Sequence, residues 1–470
     1  MKIIVSNIIQ VKNPANDIYD YCRKELTFSN PEYIKKQRMG FSIYKTPKFI
    51  SLFDYDDDSV YLPIGCLQDI RNMYPDDNLY EVYTSIEPRN IKSSINLRDY
   101  QKPATQALKE RFNGIILMGC GMGKTEVCLA CAAELKQHTL FIAHTKELVT
   151  QAKERCEQNL DCTTSLISEG KIDLKGDIVF ATVQTLFKNL NKIPQDEFGF
   201  MVIDECHHTA ANASSVEMFR TCADYFAARY KLGLTATLHR ADGLEGCIPK
   251  ILGDVIYEIR EDGSEYVAIY NDKELMRFPK TQFQVPAKVN FVKTDYTLID
   301  KNGYDRPVYD KSGMTISFSR LISDLASDVD RNKQIIDLCN SLKGSTIVLS
   351  DRVDQLKYLA TRIDNCVQVD GGTKKDIREK VFEDIKSGKK KVLLASYALA
   401  KEGLDCKILE NVVFATPVKD EAIVIQCIGR AQRPYGNKEL ANVFDLVDDV
   451  STLHRFYTKR RNVYKKKNWL

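Results

Sequence analysis

Short apolar runs recur through most of the chain, and stretches with helical spacing lie between them. In the first half the runs cover residues 114–117, 139–143, 177–181, 200–203 and 230–234. In the second half they cover residues 345–350, 391–396, 411–415 and 441–446. Nearly continuous apolar strands that alternate with helices are typical of parallel sheets covered on both faces. The pattern therefore predicts two α/β sheet domains in tandem.

Residues 1–92 do not follow this alternation. They contain short alternating apolar segments, many tyrosines and acidic turns, and they predict a helix near residues 31–39. A hairpin is predicted within residues 47–63, with strands at 49–53 and 60–62. We interpret the region as a small α+β accessory domain.

The same pattern sets the domain boundaries. After the accessory domain at 1–92, the first sheet domain is predicted at 93–262 and the second at 263–450, with a linker and insertion near 295–325. Residues 451–470 form a basic tail. A chain of 470 residues is long enough for about two to four domains, so this division is reasonable.

Composition narrows the class of protein. Hydrophobic residues make up 44% and charged residues 28%, as in ordinary globular proteins. No apolar run approaches the roughly 18 residues that span a bilayer, and the N-terminal run is too short for a signal peptide. The fourteen cysteines are scattered and lie mostly in apolar runs, which favours reduced thiols. We expect a cytoplasmic protein without a membrane partner.

A glycine-rich loop follows the first apolar run of the α/β region. Gly119, Gly121 and Gly123 let successive backbone amides, including that of Met122, turn toward an anion. The helix that follows adds its N-terminal dipole. The loop therefore predicts a phosphate site.

Two side chains after the glycines extend this prediction. Lys124 supplies a cation for the phosphates, and Thr125 offers a hydroxyl to Mg²⁺. The strict pattern has glycine five residues before Gly123, where Met118 stands. The expected ligand is a nucleoside triphosphate, with ATP and Mg²⁺ as the pair.

An acidic pair follows the run at 200–203. Asp204 at the strand end can hold Mg²⁺, and Glu205 beside it can orient or deprotonate the attacking water. The alternative is that both carboxylates simply cap a strand end.

Gln101 lies in a short loop that opens the helix before the glycine-rich loop. A side-chain amide can accept from and donate to an adenine edge, and Arg98 of the same loop is assigned to the nucleotide with it. Gln101 could instead be a solvated residue at a helix start.

Other polar residues also follow strands, where parallel sheets bind their ligands. Thr235 and Thr237 could relay a change at the phosphate, and His207 follows the acidic pair. Residues placed to hold a nucleic-acid backbone are His144, Thr145, Lys146, Thr182, Gln184, Ser350, Arg352 and Ser396.

Near the C-terminus, residues 426–434 predict a helix that places Arg430 and Arg433 on one face, with Gln426 preceding them. Such arginines would offset charge in a phosphoryl-transfer transition state, an effect worth about 10³ to 10⁵ in rate. Ordinary surface salt bridges are the alternative.

The last twenty residues are basic. Seven are lysine or arginine and none is acidic, and Tyr457, Tyr464 and Trp469 are interleaved with them. Basic groups with aromatics suit a polyphosphate backbone. A solvated cationic tail is the alternative.

In order and spacing these motifs resemble those of the superfamily 2 DExH-box helicases over about residues 95–450. Among them the chain is similar to phage branch-migration helicases, the poxvirus transcript-release helicase and the large helicase subunit of eukaryotic transcription and repair factors. The resemblance implies two RecA-like domains. It marks the accessory domain at 1–92 as DNA-recognition-like, and it assigns adenine recognition to Gln101 and the phosphate loop to Gly121, Gly123, Lys124 and Thr125. The DExH box falls on residues 204–207, and coupling falls on His207, Thr235 and Thr237. The fifth motif falls on Gly403 and Asp405, and the sixth on Gln426, Arg430 and Arg433.

This resemblance favours an ATP-dependent DNA helicase or translocase that works as a monomer. Its expected substrate is duplex, forked or junction DNA, with roles in branch migration, fork remodelling, recombination or repair. An RNA helicase or transcript-release factor would use the same ATPase. A protein that clamps nucleic acid without moving along it is a third reading.

Overall fold

The computed structural model describes the whole chain except residues 76–78, 84–86, 120, 169, 208–212, 239–242, 300–301, 310–314, 374 and 403–405. It divides into two compact units, Met1–Phe278 and Pro279–Leu470.

The accessory part of the first unit is a small α+β structure, as predicted. Its elements are β1 (Lys2–Val5), β2 (Ile8–Lys12), α1 (Asn16–Glu25), β3 (Thr27–Ser29), α2 (Pro31–Arg38), β4 (Phe49–Ser51), β5 (Asp54–Tyr55), β6 (Ser59–Pro63), α3 (Leu67–Met73), β7 (Leu79–Glu81) and β8 (Lys92–Ser93). Five of the strands form a sheet in the order β5-β6-β2-β1-β7. Its apolar face is buried because Ile3, Val5, Ile9 and Val11 alternate toward the interior.

The predicted hairpin forms with different strands. β4 pairs with β3 rather than with β6, and the hairpin consists of β5 and β6. The Asp56 carboxylate closes the hairpin turn by accepting hydrogen bonds from the backbone of Asp58 and Ser59, at 3.2 and 2.8 Å. The prediction was wrong about the first strand because this side-chain cap fixes the turn next to β5.

The remainder of the first unit is an α/β layer. Its elements are α4 (Lys102–Arg111), β9 (Asn113–Leu117), α5 (Lys124–Leu135), β10 (Thr139–Ala143), α6 (Lys146–Asn159), β11 (Leu160–Asp161), β12 (Thr164–Ser168), β13 (Lys171–Ile172), β14 (Ile178–Thr182), α7 (Val183–Asn189), β15 (Phe200–Asp204), α8 (Ala213–Tyr225), β16 (Tyr230–Thr235), α9 (Cys247–Leu252), β17 (Val255–Asp262), β18 (Glu265–Tyr270) and β19 (Lys273–Pro279).

These strands form one sheet in the order β13-β12-β14-β10-β15-β16-β9-β17-β18-β19. Strands β12 to β17 in that order are parallel, as predicted, so the ends of β9, β10, β14, β15 and β16 meet at one edge. β18 folds back antiparallel on β17. The predicted domain boundary at residue 262 falls between these two paired strands, whereas the compact unit extends to Phe278.

A buried lysine joins the accessory part to this sheet. Lys231 of β16 is 1% exposed, and its ammonium donates to the backbone carbonyls of Asn7 and Ala223 at 3.0 and 2.7 Å. The Asn7 amide donates in turn to the carbonyl of Asp224. These bonds pass from the accessory sheet to the α/β layer within one unit.

The second unit is also α/β. Its elements are β20 (Ala287–Lys293), α10 (Phe318–Ser327), α11 (Val329–Ser341), β21 (Ser345–Ser350), α12 (Val353–Ala360), β22 (Cys366–Val369), α13 (Lys375–Lys386), β23 (Val392–Ser396), α14 (Tyr397–Glu402), β24 (Leu409–Phe414), α15 (Glu421–Ala431), β25 (Ala441–Val447) and α16 (Ser451–Lys466). The strands form a parallel sheet in the order β20-β25-β24-β21-β23-β22.

The predicted insertion near 295–325 packs on this unit around a core of its own. Tyr296 and Val308 lie against Leu321 and Leu325 of α10 and against Leu453 of α16. Part of the insertion, residues 300–301 and 310–314, lies outside the described residues.

The basic C-terminal segment is a packed helix rather than a tail. Arg460 of α16 is 2% exposed and makes a bidentate pair with Asp445 at 2.8 and 2.9 Å. Tyr464 donates to the same carboxylate at 2.9 Å, and Trp469 is buried beside it. The prediction failed because Tyr464 and Trp469 supply apolar surface to the core instead of facing solvent. In the described residues no helix is long and apolar enough to cross a membrane.

Candidate functional site

The glycine-rich loop begins where β9 ends. The Met118 backbone N–H donates to the carbonyl of Thr235 at 2.9 Å, which continues the pairing of β9 with β16. The Met118 side chain is fully buried. Met118 is therefore an extension of the strand with an apolar anchor, which explains why this position does not need glycine. Cys120 lies outside the described residues.

Two of the three glycines adopt left-handed backbone conformations. Gly121 has φ +80° and Gly123 has φ +83°, a region that residues with a Cβ rarely adopt. A Cβ on Gly123 would also lie 2.2 Å from Nε2 of Gln101, whereas one on Gly121 would meet nothing within 4 Å. Gly119 would tolerate a Cβ against Met122 at 3.5 Å.

Gly123 is the N-cap of α5 and has no side chain with which to cap it. The first backbone N–H groups of a helix have no intrahelical partner and attract anions. Lys124 and Thr125 occupy the first turn of α5 beside these N–H groups. The loop therefore has the donors and the cation that a phosphate chain needs.

Gln101 lies beneath this loop and is only 5% exposed. Its Nε2 donates to the carbonyl of Met122 at 2.9 Å, and its Oε1 accepts from the backbone N–H of Arg98 at 2.9 Å. The amide assigned to adenine thus braces the loop in this structure. The Arg98 side chain is exposed and donates to the Tyr100 hydroxyl at 3.2 Å.

Tyr100 is a second brace that the sequence interpretation missed. Its hydroxyl donates to the same Met122 carbonyl at 3.0 Å, and its ring stacks on Phe278 with centroids 5.0 Å apart. The signal available in the sequence was an aromatic residue directly before Gln101. A hydroxyl on an otherwise apolar side chain usually finds a partner when it is buried.

The acidic pair lies at the end of β15, next to the loop. Asp204 is 8% exposed, and its carboxylate accepts from the Glu205 backbone N–H at 3.0 Å. Glu205 has φ +48°, an uncommon conformation for a non-glycine residue. Its carboxylate accepts from the Lys124 ammonium at 3.1 Å. Backbone strain of this kind concentrates at functional sites.

The two carboxyl groups have pKa values displaced in opposite directions. Burial, together with the neighbouring Glu205 charge, raises the pKa of Asp204. Burial also opposes ionisation of Glu205, but the charge of Lys124 and the hydrogen bond from His207 outweigh it and lower the pKa of that carboxyl. Glu205 is therefore the member of the pair that ionises more readily.

Hydrogen bonds continue from this pair to the end of β16. Nδ1 of His207 lies 3.3 Å from the Glu205 carboxylate and 2.9 Å from the Thr235 hydroxyl. The Thr235 hydroxyl donates to the Thr237 carbonyl at 2.8 Å, so it accepts from His207, whose single Nδ1–H is shared between Thr235 and Glu205. The residues predicted for catalysis and coupling in the first unit form one connected chain.

The residues present fit Mg²⁺. Asp204 and Thr125 offer hard oxygen donors of the kind that this ion prefers. Asp204 is a buried carboxyl whose ionisation is disfavoured, and a bound cation would reverse that penalty.

The predicted nucleic-acid residues of the first unit have different environments. The ring nitrogens of His144 are buried, and the ring is close enough to Asp204 to influence that carboxyl, so it belongs to the acidic pair's surroundings. Thr145 and Thr182 cap helices by accepting from the backbone of Leu148 and Thr185, each at 3.3 Å. Lys146 and Gln184 are exposed beside these caps.

In the second unit, Ser350 is fully buried and donates to Gln355 at 2.6 Å, so its hydroxyl fixes a turn rather than facing a ligand. Arg352 donates to the Ser323 hydroxyl and the Ser319 carbonyl, both at 3.1 Å. The Ser396 hydroxyl caps α14 by accepting from Leu399 at 3.4 Å.

The predicted arginine pair is only partly helical. Gln426 and Arg430 lie one turn apart on α15 and are half-buried. Arg433 lies beyond the helix, which ends at Ala431, so the expectation that one helix carries both arginines was wrong. Pro434 disfavours a helical conformation for the residue before it. Gly403 and Asp405 lie outside the described residues.

Two family descriptions match the chain. "Type III restriction enzyme, res subunit" matches residues 94–240, and "Helicase conserved C-terminal domain" matches residues 329–435. Together they cover a little over half of the chain. The first match contains the glycine-rich loop and the acidic pair, and the second contains α15.

Similar proteins include the DNA 3'-5' translocase XPB2 of Sulfurisphaera tokodaii, 26% identical over 79% of this chain and 86% of its own length. The putative ATP-dependent RNA helicase L396 of Acanthamoeba polyphaga mimivirus is 29% identical over 76% of this chain, which spans 64% of that protein. The Pyrococcus furiosus Hef helicase domain aligns over 78% of this chain and 98% of its own, with TM-score 0.50 and 17% identity. The last likeness concerns the fold alone, tandem RecA-like domains.

Proposed function

We propose that this chain, which belongs to the superfamily 2 helicases, uses ATP hydrolysis to move along DNA and to remodel forks and branched junctions. Its two helicase domains establish the broader class, an ATP-dependent nucleic-acid helicase. The observation that carries the proposal is the connected chain of Lys124, Glu205, His207 and Thr235 at one sheet edge.

In this proposal the loop and the N-terminus of α5 hold the triphosphate. Lys124 neutralises phosphate charge, and the ionised Glu205 orients the attacking water and accepts its proton. When bound by Thr125 and Asp204, Mg²⁺ would supply Lewis-acid charge stabilisation. His207, Thr235 and Thr237 transmit the state of Glu205 to the end of β16.

The second unit is proposed to supply the remaining charge. By the family resemblance, the roles proposed for Gln426, Arg430 and Arg433 are those of the sixth motif, which offsets transition-state charge, and Gly403 and Asp405 keep their proposed assignment to the fifth motif. Such a contribution is worth about 10³ to 10⁵ in rate.

The preference for DNA is supported by the DNA translocase among the similar proteins. An RNA helicase is the second candidate, because another similar protein bears that name. In more detail, the protein is proposed to act on forks and junctions as a monomer.

A panel of substrates tests both the dependence of the ATPase on nucleic acid and its preference for forked or branched DNA. ATPase and strand-separation rates are measured with single-stranded DNA, forked DNA, four-way junctions and single-stranded RNA of equal length, at one salt concentration. We expect the strongest stimulation with forked or four-way DNA. Greater stimulation by RNA would support the second candidate, and no stimulation by any nucleic acid would overturn the proposed function.

A further inference from the structure

A segment of the accessory part extends from the fold with almost all of its side chains in solvent. We call residues 30–49 the basic arm; it consists of α2 and the loop that leads to β4. α2 buries none of its residues, and nearly every residue from 37 to 49 is exposed. A helix of eight residues is not stable alone in water, so contacts at its ends must hold it.

The base of the arm is fixed by one buried residue. Asn30 is fully buried, and its side chain accepts from the Glu32 backbone at 3.0 Å and donates to the Pro47 carbonyl at 2.7 Å. Its backbone N–H donates to the backbone carbonyl of Lys48 at 3.0 Å, next to the β3-β4 pairing. Lys36 ties the helix to the loop through the Thr46 hydroxyl at 2.9 Å. The arm is therefore held in place while its surface stays open.

The exposed surface combines two kinds of side chain. Large apolar groups are Met39, Phe41, Tyr44 and Phe49, exposed by 55%, 59%, 80% and 49%. Exposed cations are Lys35, Arg38, Lys45 and Lys48. Glu32 is the acid in the arm, and Lys36 already pairs with it at 2.7 Å. The surface thus has a net positive charge and open aromatic faces.

The cations and the aromatic rings are adjacent. The Lys45 ammonium lies 5.6 Å from the Tyr44 ring centroid, and the Lys48 ammonium lies 5.3 Å from that of Phe49. Each ammonium lies over one face of its ring, so a ligand that stacks on the opposite face would have a cation close by. A strand of unpaired nucleotides has that combination, a flat base with a phosphate next to it.

We propose that the basic arm binds single-stranded nucleic acid, with Phe41, Tyr44 and Phe49 stacking on unpaired bases and the cations contacting phosphates. The inference rests on the proposed function, which makes nucleic acid the substrate. The aromatic groups favour single strands over duplex, because bases within a duplex already stack on each other and offer no free face. Charge alone would not make this distinction.

The test compares variants of the full-length protein without nucleotide. Fluorescent 20-nucleotide oligothymidylate, oligouridylate and a 20-base-pair duplex are titrated against wild type and the double variant Phe41→Ala, Tyr44→Ala. Loss of two stacking contacts should weaken single-strand binding by about tenfold or more, with the duplex changed less than about twofold. The two oligonucleotides show whether DNA or RNA is preferred.

Tyr55→Ala is the matched control. Tyr55 is 71% exposed but lies on the β5-β6 hairpin beside acidic residues, so its loss should leave all three affinities unchanged. The pair Lys45→Gln, Lys48→Gln should reduce the single-strand salt slope by about 1.4, since each lost phosphate contact removes about 0.7.

Single-strand affinity that is unchanged in the double aromatic variant would overturn the inference, as would an equal loss for duplex. Because the substituted side chains are exposed, the melting temperature should match wild type. If wild-type ATPase responds to nucleic acid while the variants bind normally, the arm inference fails alone. If wild type responds to no nucleic acid, the proposed function fails first.

Discussion

The Lys124 ammonium lies 3.1 Å from the Glu205 carboxylate, so the cation of the phosphate loop is already paired with the acid at the end of β15. Both side chains are largely buried, with exposures of 10% and 21%. A triphosphate in the loop would compete with Glu205 for this cation. Lys124 and His207 both favour the ionised form of Glu205, so this carboxylate keeps the support of His207 when a ligand takes over Lys124.

The first prediction concerns Glu205→Gln. The amide keeps the shape of the side chain but cannot accept a proton from water, so turnover should fall by at least about 10²-fold, the lower end of what general bases contribute. ATP binding should persist, because the amide does not compete as an anion for Lys124. DNA binding should persist as well. Steady-state ATPase and nucleotide titration measure the two effects. Retained hydrolysis would refute the role assigned to Glu205.

The second prediction concerns coupling through Thr235. Thr235→Val removes the hydroxyl that accepts from His207 and donates to Thr237, with little change of volume. We expect the amount of strand separated per ATP hydrolysed, with nucleic acid present, to fall. The affinity for ATP should stay within about threefold of wild type, a change smaller than one hydrogen bond contributes. Thr221→Val, on the exposed face of α8, is the control and should change neither quantity. An unchanged ratio in Thr235→Val would remove this residue from the coupling chain.

The third prediction separates backbone strain from steric clash in the loop. Gly123→Ala adds a Cβ at φ +83° and 2.2 Å from Gln101, so ATP affinity should be lost and the unfolding free energy should fall by more than the strain alone. Gly243→Ala has a similar φ of +77° but open space, and it should cost only the strain, about 1 kcal/mol, in unfolding free energy. Adding Gln101→Ala to Gly123→Ala should restore part of the stability. No recovery would mean that the clash with Gln101 is unimportant.

The fourth prediction concerns the core of the second unit. Arg331 and Asp448 are both fully buried, and the guanidinium contacts the carboxylate at 2.6 and 3.1 Å and the Ala415 carbonyl at 2.6 Å. Asp448→Asn should lower the unfolding free energy by about 3 to 5 kcal/mol, because it leaves a buried charge uncompensated. Asp20→Asn, in the exposed pair with Arg23, should cost less than about 1 kcal/mol. Denaturant unfolding compares the two.

The fifth prediction is a pH dependence caused by Asp224. Burial raises the pKa of this carboxyl to about 6, although Lys231 and Arg220 act in the opposite direction and Asp54 adds to the rise. Between pH 4 and 6 the folded state therefore holds a proton that the unfolded state releases. The contribution of Asp224 to stability is greatest below pH 4 and falls as the pH rises to 6, by up to about 3 kcal/mol.

Asp224→Asn should remove this dependence. The difference in unfolding free energy between wild type and variant, measured from pH 4 to 7, should change steadily through that interval in favour of the variant. A difference that is constant with pH would show that Asp224 has an ordinary pKa.

The strands and the loop were predictable because their signals are local. Apolar runs such as 139–143 and 200–203 reappear in the structure with ends within one residue, since a strand buried on both faces must be apolar throughout. The glycines, Lys124 and the acidic pair come together because the carboxyl ends of parallel strands share an edge.

Other features depend on contacts across the chain. Nothing near Gln101 in sequence indicates that the Met122 carbonyl would take its amide, and nothing near Arg460 indicates Asp445. In the α16 segment, charge density outweighed the apolar signal of Tyr464 and Trp469, and so a helix that packs on the core through one face was interpreted as a tail. Pro434, by contrast, is visible in the sequence, and from it the end of α15 before Arg433 could have been predicted.

The buried Lys231 has a mechanical consequence. Its ammonium is bonded to Asn7 of the accessory part and to Ala223 of the α/β layer, so separating the two would leave a buried ammonium group without one of its hydrogen-bond acceptors. The accessory part is therefore fixed rigidly to the ATP-binding layer and is not joined to it by a flexible linker alone. If that layer moves during the catalytic cycle, the accessory surface moves with it in the same direction.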